Sequence, residues 1–434
     1  MRVYTVAGNI WTSALGDEGP ATAAGMSGTE GVWVDGKCNL YFSDDGHGRV
    51  RKVNLETGII NTIAGTMSGG SSGDGGLATN AQLDGPYGIY ADSTENIFIV
   101  DAGIRIRKVN GITGIITTFA GGGTSFSDGI PATNAKLSFL QNVYGDGDGN
   151  IYVGERTKIG KINVASGIIS TIAGTGVSGL SGDGGPAILA QLNGVVGMLF
   201  DASGNLIFAD RGNSRIRKIN KFTGVITTIA GTTDGYSGDG GQATAARLSG
   251  PLSFVIDYLG NIIIGDNQNN FIRKVDAATG IITTIAGVGT AITGDTSNGA
   301  LALNAEIHPE FLYLDLQGNI YFSNYGGQIR KITNYNPGLA SAGSNCNVTS
   351  VSSIEENSSD IEIYPNPTSN EITIKSGTSV NKTFTITNSI GQTIISDKRF
   401  IDQYYVNSKD WPMGIYFVMI EDVTGVHMRK IIKN

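Results

Sequence analysis

The sequence is poor in the residues that do chemistry: 434 positions include only three histidines and two cysteines. Two cysteines rule out a disulfide framework and a cysteine-rich metal site, leaving at most one bridge, Cys38 to Cys346. Cys38 falls in a turn where sister segments carry Gly or Glu, and Cys346 in a polar stretch, so one bond and two free thiols are equally compatible with the pattern. The histidines, His47, His308 and His427, are too few for a His-rich zinc centre. No G-x-S-x-G elbow occurs and neither cysteine has a nearby histidine, so nucleophilic catalysis has no candidate.

Charge is scarce as well, at 16% of residues, with 38 acids against 30 bases and a net charge of −8. Nucleic-acid binding needs a basic face to neutralise phosphates, so no nucleic-acid partner is expected. No run of ~18 apolar residues is present, so no membrane span is expected. The opening MRVYTVAGN lacks the pattern of a secretory signal peptide.

Glycine, by contrast, is abundant: 64 residues, about twice the usual ~7% share. That favours tight turns over long helices. The tetrapeptide T-[IVF]-A-G starts at Thr5, Thr62, Thr118, Thr171, Thr228 and Thr284, at spacings of 57, 56, 53, 57 and 56 residues. A fixed period of this size marks a repeat architecture. Each period runs through an apolar segment, D-x-x-G-N or a close variant, a second apolar segment, a polar loop, R-I-R-K-[VI] or its equivalent, and T-G-[IV]-I-T-T-I-A-G. The segments are β-branched and short, and the turns carry Gly where φ must be positive, so each period predicts a four-stranded antiparallel sheet.

Such sheets bury their faces only by stacking radially, which makes the chain all-β: a six-bladed β-propeller over residues 1–333. The sixth period lacks a closing T-I-A-G strand, and RVYTVAG at Arg2 to Gly8 supplies it, so the N-terminal strand is expected to close the last blade. The units resemble NHL repeats, in the subtype where S-G-D-G-G-P-A-T precedes each inner strand. The third departs, with GERTKIGKIN in place of D-x-x-N-x-R-I-R-K, and the sixth has Asn324 at the strand-end acid.

The Gly-rich stretch SGDGGPAILAQL has an equivalent in every period, with Asp17, Asp74, Asp128, Asp183, Asp239 and Asp295 at the shared position. One per blade is too many for one active site. No copy has the Lys of a phosphate loop, and each offers a single acid where a calcium loop needs several. These acids are therefore expected to be structural, capping the A-T-x-A-x-L turn that follows. The recurrent arginines are expected to pair with acids of adjacent blades.

Residues 334–359 are small and polar and read as a linker. Residues 360–434 alternate as strands with turns and predict a small C-terminal β-sandwich. Their motifs, Tyr364-Pro365-Asn366-Pro367, Ile390-Gly391-Gln392, Gly414-Ile415-Tyr416-Phe417-Val418 and Arg429-Lys430-Ile431-Ile432-Lys433, resemble the type IX secretion sorting domain of Bacteroidetes. The resemblance implies recognition by an outer-membrane translocon and a secreted or cell-surface destination. Such cargo first crosses the inner membrane on a signal peptide, so the sequence is expected to be trimmed or misplaced at its start.

Counting back from each D-x-x-G-N turn aligns a ring where the inner strands enter the channel: Glu30, Tyr87, Gln141, Val196, Leu252 and Glu310. One step later come Gly31, Gly88, Asn142, Gly197, Ser253 and Phe311. Glu30 and Glu310 fall on blades that become neighbours on closure. Together with Gln141, Asn142 and His308 they could hold Ca²⁺ or Mg²⁺; otherwise no cofactor is expected. The polar loops between second and third strands, DDGHGR, DAGIR, GERTK, DRGNSR, DNQNNF and NYGGQ, are expected to share a face with the S-G-D-G-G loops. The sequence thus predicts a non-catalytic propeller binding a protein or glycan on its top face. The alternative is a metal-dependent lyase or lactone hydrolase at the channel mouth, by analogy of fold with gluconolactonase-type propellers.

Overall fold

The structure, a computed structural model, describes residues 1–9, 15–35, 37–290, 298–315, 317–333 and 335, then 361–364, 371–376, 382–388, 393–411, 414–422 and 425–433. These fall into two compact units. In the first, six antiparallel sheets follow one another along the chain. The first sheet sets the pattern: Thr29–Val34 innermost, then Asn39–Asp44, Arg49–Asn54 and Ile60–Ala64. Its innermost strand touches those of the second and sixth sheets, and the contacts continue from sheet to sheet until the ring is complete. The unit is a β-propeller.

The ring is closed by the chain's own start. Arg2–Ala7 forms the outer strand of the sixth sheet, antiparallel to Gln328–Thr333, with Arg2 opposite Thr333 and Val3 opposite Ile332. Apolar cores lie between neighbouring sheets. Val50 and Ala64 of the first meet Ile89 and Ile99 of the second, and Phe42 of the first meets Ile329 of the sixth.

The turn at the base of each inner hairpin is built identically. The Asp35 carboxylate accepts the backbone N–H and the side-chain amide of Asn39, and the pairs Asp92–Asn96, Asp146–Asn150, Asp201–Asn205, Asp257–Asn261 and Asp315–Asn319 repeat it. The penultimate residue needs positive φ, which is why Gly204 (φ 76°) and Gly260 (φ 81°) stand there. Cys38 takes that conformation at φ 61° and is disulfide-bonded. Cys346 lies outside the described residues.

The S-G-D-G-G acids do not cap the turn after them. The short 3-10 turns Ala21–Ala23, Ala78–Asn80, Ala132–Asn134, Ala187–Leu189 and Ala243–Ala245 have no side-chain cap bond, and their N-cap positions are Pro20, Leu77, Pro131, Pro186 and Gln242. Each loop instead runs over the outer strands, with Pro20 bridged to Ile59 and Pro186 to Val225. There the acid meets an arginine and the T-[IVF]-A-G threonine. Asp183 accepts from Arg217 Nη2 at 2.8 Å and from Thr228 Oγ1 at 2.6 Å. Asp17 does the same with Arg51 and Thr62, and Asp239 with Arg273 and Thr284. Asp74 binds Arg107, and Asp128 holds Thr171. Asp295 lies outside the described residues.

The arginines pair within their own sheet rather than with adjacent blades. Arg51, Arg107, Arg217 and Arg273 are fully buried, and each also faces the buried strand-end acid of its sheet, Asp44, Asp101, Asp210 or Asp266. Those acids receive a second anchor. Asp101 accepts the N–H of Asp84, Asp210 that of Asn193 and Asp266 that of Ser249, which pins the entry to each inner strand. The third sheet has Glu155 at the acid position and Gly160 at the arginine position, and Glu155 keeps the anchor by accepting from Ser138 N–H at 3.2 Å.

The second unit holds two sheets, one of Ile361–Tyr364, Glu371–Ser376 and Gln403–Asn407, the other of Lys382–Asn388, Thr393–Phe400, Gly414–Asp422 and Gly425–Lys433. Ile372, Ile374 and Val406 of one share a core with Phe384, Ile386 and Val418 of the other. Tyr364 ends its strand, Gly414 begins its own, Tyr416 is buried, and Phe417 pairs across the ladder with Lys430. Pro365, Asn366 and Pro367 lie outside the described residues.

Candidate functional site at the channel mouth

Six inner strands converging on one axis leave a narrow cavity of about 220 Å³, lined from every sheet by residues that include Gly31, Asn142, Gly197, Ser253 and Phe311. Close approach of the strands explains the glycines: a Cβ on Gly31 would sit 2.6 Å from the Gly88 backbone. Trp33 packs edge-on against Tyr90, Tyr144 and Tyr313, with ring centroids 5.1, 6.2 and 5.1 Å away, so aromatics crowd the axis at the end of the inner strands toward the Asp–Asn turns.

At the opposite end, Glu30 and Glu310 stand at the entrance, on the inner strands Thr29–Val34 and Pro309–Leu314, which touch on ring closure. Burial raises the Glu30 carboxyl to about 9, helped by the charges of Glu310 and Asp45 and opposed by Arg211. Burial also raises Glu310, to about 7, with Arg211 pulling it down and Asp45 pushing it up. The pair therefore retains a proton at neutral pH, and one acid can donate a hydrogen bond while the other accepts. Arg211 reaches this field from the loop after the fourth sheet's second strand and forms no ion pair within 4.0 Å with either acid. Tyr87, on the second sheet, is raised by burial and by Asp45 and Glu30, which places it at the same mouth.

The other expected residues do not join the acid pair. His308 is held by Asn270 Oδ1 at 2.6 Å, packs against Tyr325, and is kept neutral by burial, which lowers its pKa. Gln141 accepts from Gly88 N–H through its backbone carbonyl, and Asn142 Oδ1 accepts from Val143 N–H on the channel wall. Among the described residues no group of three or more His, Cys, Asp or Glu is gathered to hold a metal ion. Ca²⁺ takes six to eight oxygens and Mg²⁺ six. A protonated pair beside a guanidinium does not fit either ion.

Arg211 was not singled out by sequence, because it sits in a loop position that varies among repeats, held by Asp45, Ala102, Arg156, Asn267 and Tyr325 in the others. A second residue was also missed. Phe139 occupies the position two before the ring where Gly28, Gly85, Gly194 and Gly250 stand in other repeats, and the comparison of repeats carries that signal.

Residues 362–434 match the family described as the secretion system C-terminal sorting domain. The propeller aligns with NHL repeat-containing protein 2 of Bos taurus at 25% identity over 275 residues, covering 55% of this chain and 38% of that protein. The chain is an NHL-type propeller with a C-terminal secretion sorting domain. The Arabidopsis thaliana protein Suppressor of quenching 1, chloroplastic, is 26% identical over 286 residues, covering 61% of this chain and 26% of that one. This NHL-type chain thus spans about a quarter to two fifths of the length of these curated relatives. Among solved structures, an auxiliary nutrient binding protein from Bacteroides ovatus shares the fold with a TM-score of 0.54 and 16% identity, covering 76% of this chain and 75% of that one. The sorting domain marks the protein as exported through the type IX secretion system to the cell surface or beyond. No helix among the described residues is long and apolar enough to cross a membrane.

Proposed function

We propose that residues 1–333 are a non-catalytic binding propeller, carried to the cell surface by residues 360–434 across a linker at 334–359, and that its mouth face recognises a protein or glycan partner. One observation carries this reading. The residues that repeat are consumed by the scaffold, as Asp–Asn turns and Asp–Arg–Thr clamps, while the polar residues that do not repeat, Glu30, Glu310, Arg211 and Tyr87, collect around one end of the axis. Variable side chains on a rigid frame are the usual construction of a recognition face.

The fold neighbour from Bacteroides ovatus, named as a nutrient-binding protein, supports the same reading. So does His308, which is engaged by Asn270 and poorly placed to act as a base. Profiling the full chain and its Glu30→Ala, Glu310→Ala variant on immobilised glycans and surface proteins tests it. Saturable binding lost in the variant is expected. The absence of any saturable ligand would sink the reading, and turnover of a lactone or polysaccharide lost in the same variant would establish the lyase or hydrolase alternative instead.

A further inference from the structure

Four of the six repeats place glycine in the left-handed region two residues before the mouth ring: Gly28 (φ 62°), Gly85 (φ 59°), Gly194 (φ 79°) and Gly250 (φ 53°). The third repeat holds Phe139 in the same conformation, at φ 63°. A bulky residue there is a genuine outlier, and such strain persists where the surroundings or a function demand it. Packing does not demand it here, because Phe139 is 55% exposed. Its ring contact is the guanidinium of exposed Arg156, 5.4 Å from the centroid.

Phe139 and Arg156 form one wall of a pocket of about 340 Å³ on the third to fifth sheets, with Asn193, Arg211, Asp234 and Gln268 on the others. That volume lies at the small end of the ~300–1,000 Å³ typical of small-ligand sites. The clamp arginines have carboxylate partners, whereas neither Arg156 nor Arg211 forms an ion pair among the described residues. A flat apolar platform, two guanidiniums without an ion pair among the described residues, two amides, a serine and one carboxylate are in the lining.

We propose that this pocket binds a uronic acid residue of an acidic glycan, its sugar face on Phe139 and its carboxylate between Arg156 and Arg211. The guanidinium fork matches a carboxylate in geometry and charge. The amides of Asn193 and Gln268 and the acceptor Asp234 suit the hydroxyl groups of a sugar, which an acidic peptide lacks. This inference rests on the recognition-face reading and names its ligand class.

The test titrates the full chain with trigalacturonate, with the neutral trisaccharide maltotriose and with hexaglutamate, at about 0.1 M and about 1 M NaCl, where the screening length falls from ~10 to ~3 Å. Trigalacturonate is expected to bind saturably, more weakly at high salt, and at least about tenfold more tightly than the other two. Phe139→Gly is expected to reduce that affinity at least about tenfold while raising Tm, since glycine relieves the left-handed strain; a merely structural Phe139 would lower both. Arg156→Gln is expected to lose affinity with Tm unchanged. Equal binding of maltotriose or hexaglutamate, or undiminished trigalacturonate binding in Phe139→Gly, overturns the proposal. A different ligand lost on changing Glu30 and Glu310 but indifferent to Phe139→Gly also overturns it and leaves the recognition face standing. No ligand of any kind overturns both.

Discussion

Arg217 and Asp210 are both fully buried, with Nη1 and Oδ2 3.2 Å apart, and Asp183 closes the other side of the guanidinium at 2.8 Å. Ions removed from water in this way are strongly coupled: loss of one partner strands the other, at a cost of about 3–5 kcal/mol. Arg217→Met alone should therefore lower thermal stability sharply. The triple change with Asp210→Asn and Asp183→Asn should recover most of the loss. Calorimetry of the three proteins checks this, and equal Tm values for single and triple variants would count against a coupled clamp.

The mouth acids predict a pH dependence with a definite sign. Glu30 and Glu310 bind protons more tightly in the folded than in the unfolded chain, with folded values of about 9 and about 7 against an ordinary 4.5. Folded protein then carries more bound protons between those limits, so their contribution to stability is greatest near pH 4.5 and falls as pH rises toward 9. Asp74 runs the other way. Burial alone would raise it, but hydrogen bonds from Thr118 and the adjacent Arg107 bring it below its usual range, so its contribution is lost only under acid. Glu30→Gln with Glu310→Gln should raise Tm at pH 8–9 and flatten the profile above pH 5, measured by thermal melts across that range.

Closure by the N-terminal strand predicts a dependence on seven residues. Val3 and Ala7 are fully buried, and removing residues 1–7 exposes the Gln328–Thr333 strand as a free edge. Loss of one buried Val-sized side chain and a strand ladder should cost a few kcal/mol, on the scale of ~2–5 for core truncations. Light scattering should detect edge-to-edge association, which a peptide of residues 1–8 added in trans should suppress.

Cys38 offers a comparison between two small substitutions. It is disulfide-bonded and left-handed at a position where four sister turns use glycine. Both Cys38→Gly and Cys38→Ala should lose the roughly 2–4 kcal/mol typical of a disulfide. Cys38→Gly should remain the more stable by about 1 kcal/mol, because alanine keeps the strained φ. Non-reducing peptide mapping identifies the bridge, with a peptide containing Cys346 expected as the partner.

Elements stabilised by neighbours in sequence were legible from the chain alone. The Asp–Asn turns close over four residues, and their spacing shows at once in D-x-x-G-N. The clamps were not legible in the same way. Asp183, Arg217 and Thr228 each recur visibly, but they meet only because the Gly-rich loop folds back over the outer strands, joining residues 34 and 45 apart. Repetition shows that such residues are structural without showing to what they bond. Glu30 and Glu310 were found because an inner strand has a fixed length from its turn to the mouth. Arg211 escaped because a loop offers no such ruler, and Phe139 because the ring was counted two residues further on.

The pairing of Arg2 with Thr333 also constrains how the protein comes into being. The strand Arg2–Ala7 has no partner until more than three hundred further residues exist, so a nascent or threaded chain cannot finish its ring early. Completion waits on sequence that immediately precedes the sorting domain. The address and the last piece of the fold therefore arrive almost together, and a truncated translation product lacks both.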